Sequence, residues 1–314
     1  MEINDSLYSN ILHKQIENKS KYIKNIIPNT KDILSIKIQN NIINEIYGLD
    51  KYEPVRTTRY KKLIENVCLK YELPDCVINI NISDFPVKGV LNFCRSKESL
   101  DYFLIPNHKF TNDNIKINGR TFDNFNEQKT YIQQSHKSEL IPKIYTSCVP
   151  HKSKVEYFKF ALQNKDICDG YCYIGPPHKL CNNAMSIEMA NKLVENKLAG
   201  YDYVEWSEHL KYKFTLYNDG NSLSDRMRLL LSTNSIIIRQ KSNYEEFYTN
   251  MLKDKINYIE YNNINELNNI VDTYNKDNIA HTNIINNNKL FVDKYLDYNE
   301  ILFYTYLLIK GLNS

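Results

Sequence analysis

The sequence predicts an α/β protein made of two Rossmann-like domains that face a central cleft. Three observations carry this prediction. The 314 residues are enough for two ordinary domains with well-buried cores. From residue 141 onward, short β-rich runs alternate with segments of helical spacing, the pattern of βαβ units and a parallel sheet. Upstream, a β-branched run at 75–81 follows a helical stretch at 56–72 and forms a second α/β grouping.

In chain order, residues 5–25 carry Leu7, Ile11, Ile16 and Tyr22 roughly on one side of a helix. Ile36 and Ile38 alternate with polar neighbours and mark a short strand. Leu63, Val67 and Leu69 give 56–72 its helical stripe, and DCVININ at 75–81 alternates as a strand. The polar, Asn-rich stretch 107–128 reads as irregular, overlapping a helix at 123–136. Strands follow at 141–148, 213–218, 235–240 and 256–261. Helices are expected at 151–163, 185–197, 222–232, 243–253 and 263–275. Leu290, Leu296, Ile301 and Leu302 make 288–311 helical. The expected division is 1–138 and 139–290 as the two α/β domains, and 291–314 as a helix packing back on the first. Ligands of such sheets bind outside the carboxyl ends of the strands.

Hydrophobic residues make up 42% and charged residues 25%, so the chain as a whole is globular rather than disordered. The formal charge is only +3, with Lys and Arg interleaved among Asp and Glu. That balance argues against a nucleic-acid partner while leaving room for a small basic pocket for a phosphorylated ligand. The polar start MEINDSLYSNILHKQIENK lacks the apolar core of a secretory leader, and no apolar run is long enough for a membrane span. A cytoplasmic location is therefore expected. The seven cysteines show no paired spacing and read as free thiols. Cys168, Cys172, His178 and Cys181 fall close together but lack the tight Cys pairs of most zinc sites, so no metal is expected, with a structural zinc as the alternative. His151, His178 and His209 read as structural or surface histidines.

The most informative segment is 208–248. A strand ends in Asn218-Asp219-Gly220, a tight turn, and Asn221 or Ser222 can cap a following helix with Asp225 completing a capping box. Leu223, Met227, Leu230 and Leu231 would face the core, leaving Arg226 off the stripe in the first turn. An Arg beside the free N–H groups of a helix start makes a diphosphate site; a solvated surface Arg is the plainer alternative. The second segment, LPDCVININISDFP, ends a buried strand at Ser83 and presents Asp84 at its carboxyl end. Pro86 forbids continuation and holds Phe85 extended. Asp84 is thus either a turn former or a carboxylate aimed at the cleft.

Both segments resemble glycosyltransferase family 90, the protein O-glucosyltransferase and capsule-associated group. The run KYKFTLYNDGNSLSDRMRLLLSTNSIII is similar to the family's signature through Lys211, Tyr212, Lys213, Phe214, Gly220, Ser224, Arg226 and Ser235. The Leu-Pro-Asp strand followed by Asp-Phe-Pro resembles the stretch whose Asp is the family's catalytic base, matched here by Asp84. FCRSKESLDYFLIP at 93–106 resembles the family's Ser-Lys segment leading to a Tyr-Pro.

The resemblance implies a GT-B fold and an inverting transfer of a sugar, glucose or xylose, from a UDP-sugar donor to a protein or glycan acceptor. Asp84 would be the general base, and Gly220, Asn221, Ser222, Leu223, Ser224, Asp225 and Arg226 would hold the donor. Two departures matter. Ser83 stands where the family often has Arg, which removes a local cation from the base. KIYTSCVPHKSK at 143–154 stands where the family has Arg-Gly-Ser-Arg, so both arginines are missing. Ser147 and Cys148 then replace the Gly-Ser pair, and Lys154 falls on an Arg near the donor phosphates, keeping the charge without the bidentate fork. No cofactor or metal is expected, the UDP-sugar being a substrate. The alternative is a weak or inactive member that binds a nucleotide or glycan.

Overall fold

The computed structural model describes residues 6–23, 32–48, 54–98, 101–111, 113–135, 139–150, 152–175, 185–220 and 222–314. The chain opens with helix α1 (Ser6–Glu17) and the antiparallel strands β1 (Ile33–Gln39) and β2 (Ile42–Tyr47). Helix α2 (Pro54–Lys70) starts at Pro54, whose missing N–H costs nothing in a first turn. It buries Tyr60, Leu63, Ile64 and Val67. Strand β3 (Cys76–Asn81) follows, then the two-residue strands β4 (Leu91–Asn92), β5 (Arg95–Ser96) and β6 (Phe103–Leu104). These build a five-stranded sheet in the order β2-β1-β3-β4-β6. It is parallel from β3 to β6 and antiparallel at the β1 and β2 edge. The first half is therefore a mixed sheet, with a hairpin added to its parallel part.

The stretch expected to be irregular contains a hairpin, β7 (Asp113–Ile117) and β8 (Arg120–Phe122). Asn118 and Gly119 both have positive φ, 50° and 75°, the turn that an Asn-Gly pair favours. Helix α3 (Phe125–Gln134) comes next, with Asn124 capping Glu127 N.

The second half holds β9 (Ile141–Tyr145), β10 (Ser147–Cys148), helix α4 (Lys152–Gln163), β11 (Tyr171–Tyr173), helix α5 (Ile187–Glu195) and β12 (Ala199–Gly200). It continues with β13 (Tyr212–Tyr217), a short helix α6 (Met227–Leu230), β14 (Ile236–Gln240), β15 (Tyr244–Glu245) and β16 (Ile259–Tyr261). Strands β16-β14-β13-β9 and β10-β11-β12 form two fully parallel sheets, as the strand–helix alternation predicts. Helices α7 (Glu266–Lys276), α8 (Asn278–Tyr295) and α9 (Tyr298–Asn313) close the chain. The stretch expected as one helix at 288–311 is thus divided between α8 and α9, because Asp297 caps Asn299 N and starts a new helix.

Two expectations need correction. The helix expected at 222–232 is only the four residues of α6. Its residues Met227 to Leu230 are all buried, Arg228 included, so no solvated face exists to make the segment a surface helix. The helix expected at 243–253 is β15 followed by a single 3₁₀ turn, because Glu245 pairs with Arg95 and β15 pairs with β5.

One hydrophobic cluster joins α1, α2, β1 and β3 to Met227, Leu229, Leu230, Phe247 and α9. A second fills the parallel sheets from Ile144 to Ile284. Helix α9 returns to the first half. Tyr304 accepts from Gln15 Nε2 at 2.6 Å, and a Cβ on Gly311 would stand 2.4 Å from the end of the Ile16 side chain, which would have to shift to admit it. Among the described residues no helix is long and apolar enough to cross a membrane.

Candidate active site

The strand run that carries Asp84 is buried over its whole length, so Asn79 and Asn81 are buried too and must find partners. Asn81 organises the strand exit. Its Oδ1 accepts from Ser83 N at 3.0 Å, and its Nδ2 donates to Phe85 O at 2.7 Å and to Asn92 Oδ1 at 2.9 Å. Asn92 in turn ties Val87 N and Val87 O. Two buried amides thereby fix the loop that presents Asp84.

The cation missing at position 83 comes from elsewhere. Arg56, in the first turn of α2, donates to Asp84 Oδ1 at 2.7 Å and to Ile82 O at 2.7 Å. The guanidinium binds both the carboxylate and the end of the strand that carries it. In the sequence Arg56 lies 28 positions from Asp84, and its only signal is an Arg at a helix start aimed at a cleft.

From the opposite side, Ser222 Oγ donates to the backbone carbonyl of Asp84 at 2.5 Å. This bond joins the turn after β13 to the exit of β3. The cavity between them has a volume of about 340 Å³. Asp84, Arg56, Arg59 and His108 line one wall, and Gly220, Ser222, Leu223, Ser224 and Asp225 the other. Asn221 lies outside the described residues.

Asp225 does not form a capping box. Burial raises its carboxyl pKa, but Lys109, whose Nζ lies 2.5 Å away, and Arg228 outweigh that and hold it well below the usual carboxylate range. Ser224 is fixed instead through its carbonyl, which accepts from Tyr217 Oη at 2.5 Å. The residues expected at the donor phosphates gather just behind. Arg226 Nε donates to Ser224 Oγ at 3.2 Å and its Nη1 to Ser147 O at 2.8 Å. Its Nη2 is buried with no hydrogen-bond partner among the described residues.

Lys154, 7% exposed, sits close enough to Arg226 to feel its charge. Burial and then that guanidinium push the ammonium down to about 8. The result is a pair of neighbouring cations, one of them with an orphaned N–H. It is not helped by a helix dipole, because α6 has four residues and starts after Arg226. Cys148 stands beside Cys172, and the hydrogen bond between them, with Lys154 and Arg226 nearby, lowers its thiol pKa against burial.

His209 is fully buried between Trp206 and Tyr145; burial and Arg226 push it down to about 3, so it is a neutral packing residue. His151, His178 and Cys181 lie outside the described residues. Among the described residues no group of His, Cys, Asp and Glu could hold a metal ion, and Cys68, Cys76, Cys94, Cys148, Cys168 and Cys172 are free. Sequence reasoning missed Arg56, Arg59, His108 and Lys109 as cleft residues. His108 and Lys109 lie in the polar stretch read as irregular, where no periodicity marks which side chains face inward.

Comparison with solved structures finds distant similarity. WaaG, a glycosyltransferase involved in lipopolysaccharide biosynthesis, is 10% identical, over 83% of this chain and 69% of its own, with a TM-score of 0.41. HepE of Anabaena, solved with UDP-glucose, is 10% identical over 56% of this chain and 50% of its own, with a TM-score of 0.40. The C-terminal domain of the group 1 glycosyl transferase LpcC from Francisella tularensis is 13% identical over 55% of this chain and 94% of its own, with a TM-score of 0.36. The chain thus spans about half the length of the Anabaena protein. No curated protein is significantly similar in sequence. The profile of glycosyl transferase family 90 matches residues 18–312, nearly the whole chain, and the protein belongs to that family.

Proposed function

We propose that this family 90 glycosyltransferase moves glucose or xylose from a UDP-sugar to a hydroxyl of its acceptor in one inverting displacement. The observation that carries the reading is the Ser222 bond to the Asp84 carbonyl. It puts the carboxylate on one wall of a cavity and Gly220, Ser222, Leu223, Ser224 and Asp225 on the other. The acceptor oxygen attacks the anomeric carbon as the bond from that carbon to the UDP oxygen breaks. The hydroxyl proton passes to Asp84, and UDP leaves with the bonding electrons. A positioned general base contributes about 10²–10⁴-fold. Arg226 and Lys154 meet the charge that develops on the diphosphate, and each such preorganised donor is worth about 10²–10³-fold. Two fixed cations supply what a metal supplies elsewhere, so the reading needs none. One carboxylate acting as base, with no covalent sugar intermediate, gives inversion.

The test pairs binding with turnover. A thermal-shift series with UDP, UDP-glucose and UDP-xylose, with and without EDTA, should show a UDP-dependent rise that survives EDTA. A ligand at about 100 times its Kd stabilises by about 2.7 kcal/mol. Asp84→Asn should keep that rise and lose transfer by at least about 10²-fold. Near-normal turnover in the variant would remove Asp84 from the role of base. The second reading, a member that binds a nucleotide or glycan without turnover, is favoured by the Arg56 ion pair, which engages the Asp84 carboxylate. Donor binding with no transfer across a panel of sugars would select it.

A further inference from the structure

Strands β10 and β11 set two cysteines face to face. In their parallel register Ser147 lies opposite Tyr171, and Cys148 opposite Cys172. Residues directly opposite on neighbouring strands share a face of the sheet, with backbones about 4.8 Å apart. A disulfide spans Cα separations of about 4.4–6.8 Å, so this register admits one without moving a strand. The two thiols already share a hydrogen bond. Cys172 is buried and Cys148 is half-buried.

The pair borders the two cations. Arg226 Nη1 donates to the carbonyl of Ser147, the residue before Cys148. The Cys172 hydrogen bond, then Lys154 and Arg226, lower the Cys148 thiol pKa against burial. Burial instead pushes the thiols of Cys76, Cys94 and Cys168 up to about 12. The thiolate is the attacking species in disulfide exchange, so Cys148 is the reactive member of the pair and Cys172 the resolving one.

We propose that Cys148 and Cys172 are a reversible dithiol–disulfide site for small disulfides, and that closing it strengthens donor binding; the second half rests on the UDP-sugar reading. The Cys148 thiolate attacks one sulfur of the small disulfide, whose other sulfur leaves with the bonding electrons. Cys172 then loses its proton and attacks Cys148 Sγ in the mixed disulfide, and the second small thiolate leaves. The two protons of the protein thiols end on the two small thiols, so the protein pair is oxidised and the small disulfide reduced. Reduced Cys148 sets partial negative charge against Lys154 and Arg226, in competition with a diphosphate. The disulfide carries no charge and ends that competition.

The full chain equilibrated in glutathione buffers of graded thiol-to-disulfide ratio, then alkylated, digested and read by mass spectrometry, tests the site. The expected product is a peptide pair joined at Cys148 and Cys172, which excess reduced glutathione returns to two thiols. Cys172→Ser should trap Cys148 as its mixed disulfide with glutathione, and the wild-type map decides the site if that change in the core prevents folding. Calorimetric titration with UDP should show about fivefold tighter binding to the oxidised protein. A link from either cysteine to another, Cys181 included, or two alkylated thiols at every ratio, would overturn the site. Equal or weaker UDP binding after oxidation would overturn the coupling and leave the disulfide standing. UDP binding to neither form would remove the donor reading and the coupling with it, while the mapped link still decides the site.

Discussion

Lys154 and Arg226 carry like charge into a partly buried space, and the cost shows in the ammonium, which is pushed down to about 8. Binding a diphosphate reverses that cost, because the anion favours the protonated amine. Free protein above pH 8 must take up a proton to bind, so UDP affinity should fall by up to about tenfold per pH unit there and level off below. Titrations at several pH values check this, and Lys154→Arg, which cannot lose its charge, should flatten the profile. Arg226→Ala should weaken UDP by about 10²-fold at any pH in this range. In the proposed reaction Arg56 acts on the acceptor side, through its ion pair with Asp84. Replacing it with Gln should leave UDP affinity alone while lowering kcat by about 10²-fold, because Asp84 loses the group that orients it. A change in UDP affinity of the same size would mean that Arg56 serves the donor. The strand exit at Asp84 and the turn before Arg226 were legible because Pro86 and Gly220 mark them. Arg56 was not, since ion pairs between distant segments leave no local pattern.

The elements most readily read were those whose pattern is set by one buried face. Strands β3, β13 and β14 and helices α2 and α7 lie within a few residues of their expected bounds. The failures share a cause. In 227–231 every side chain is buried, so apolar spacing no longer distinguishes a long helix from a short turn between layers. The acidic-aromatic run after β14 has helical spacing but gives its backbone to β5, because a buried ion pair and a strand pairing outweigh local propensity. The hairpin of β7 and β8 was missed although Asn118-Gly119 is its strongest sequence signal. Gly119→Ala should destabilise the protein by about 1 kcal/mol in chemical denaturation. The cost is conformational alone, because a Cβ there meets nothing within 4 Å. A larger loss would point to the Glu205 bond to Gly119 N as the sensitive contact.

At the scale of the molecule, the cleft exists because two halves share a core instead of meeting at a smooth interface. Phe247 packs on both Phe110 and Tyr304, β15 pairs with β5, and Arg95 Nε meets Glu245 Oε1 at 2.7 Å with both side chains more than nine-tenths buried. A shared core predicts one cooperative unfolding transition, in which UDP raises the stability of both halves together. The Arg95–Glu245 pair tests how tightly they are sewn. Glu245→Gln leaves the guanidinium buried without its counter-charge and should cost about 3–5 kcal/mol. The double change Arg95→Met with Glu245→Leu restores an apolar match and should recover most of that loss. Scanning calorimetry of the three proteins separates the possibilities. One peak that moves down and then back means that the pair acts within a single cooperative unit. A peak that splits in Glu245→Gln means that the halves hold together mainly through this contact, and the cleft would then open by local parting at β5 and β15 before either half melts.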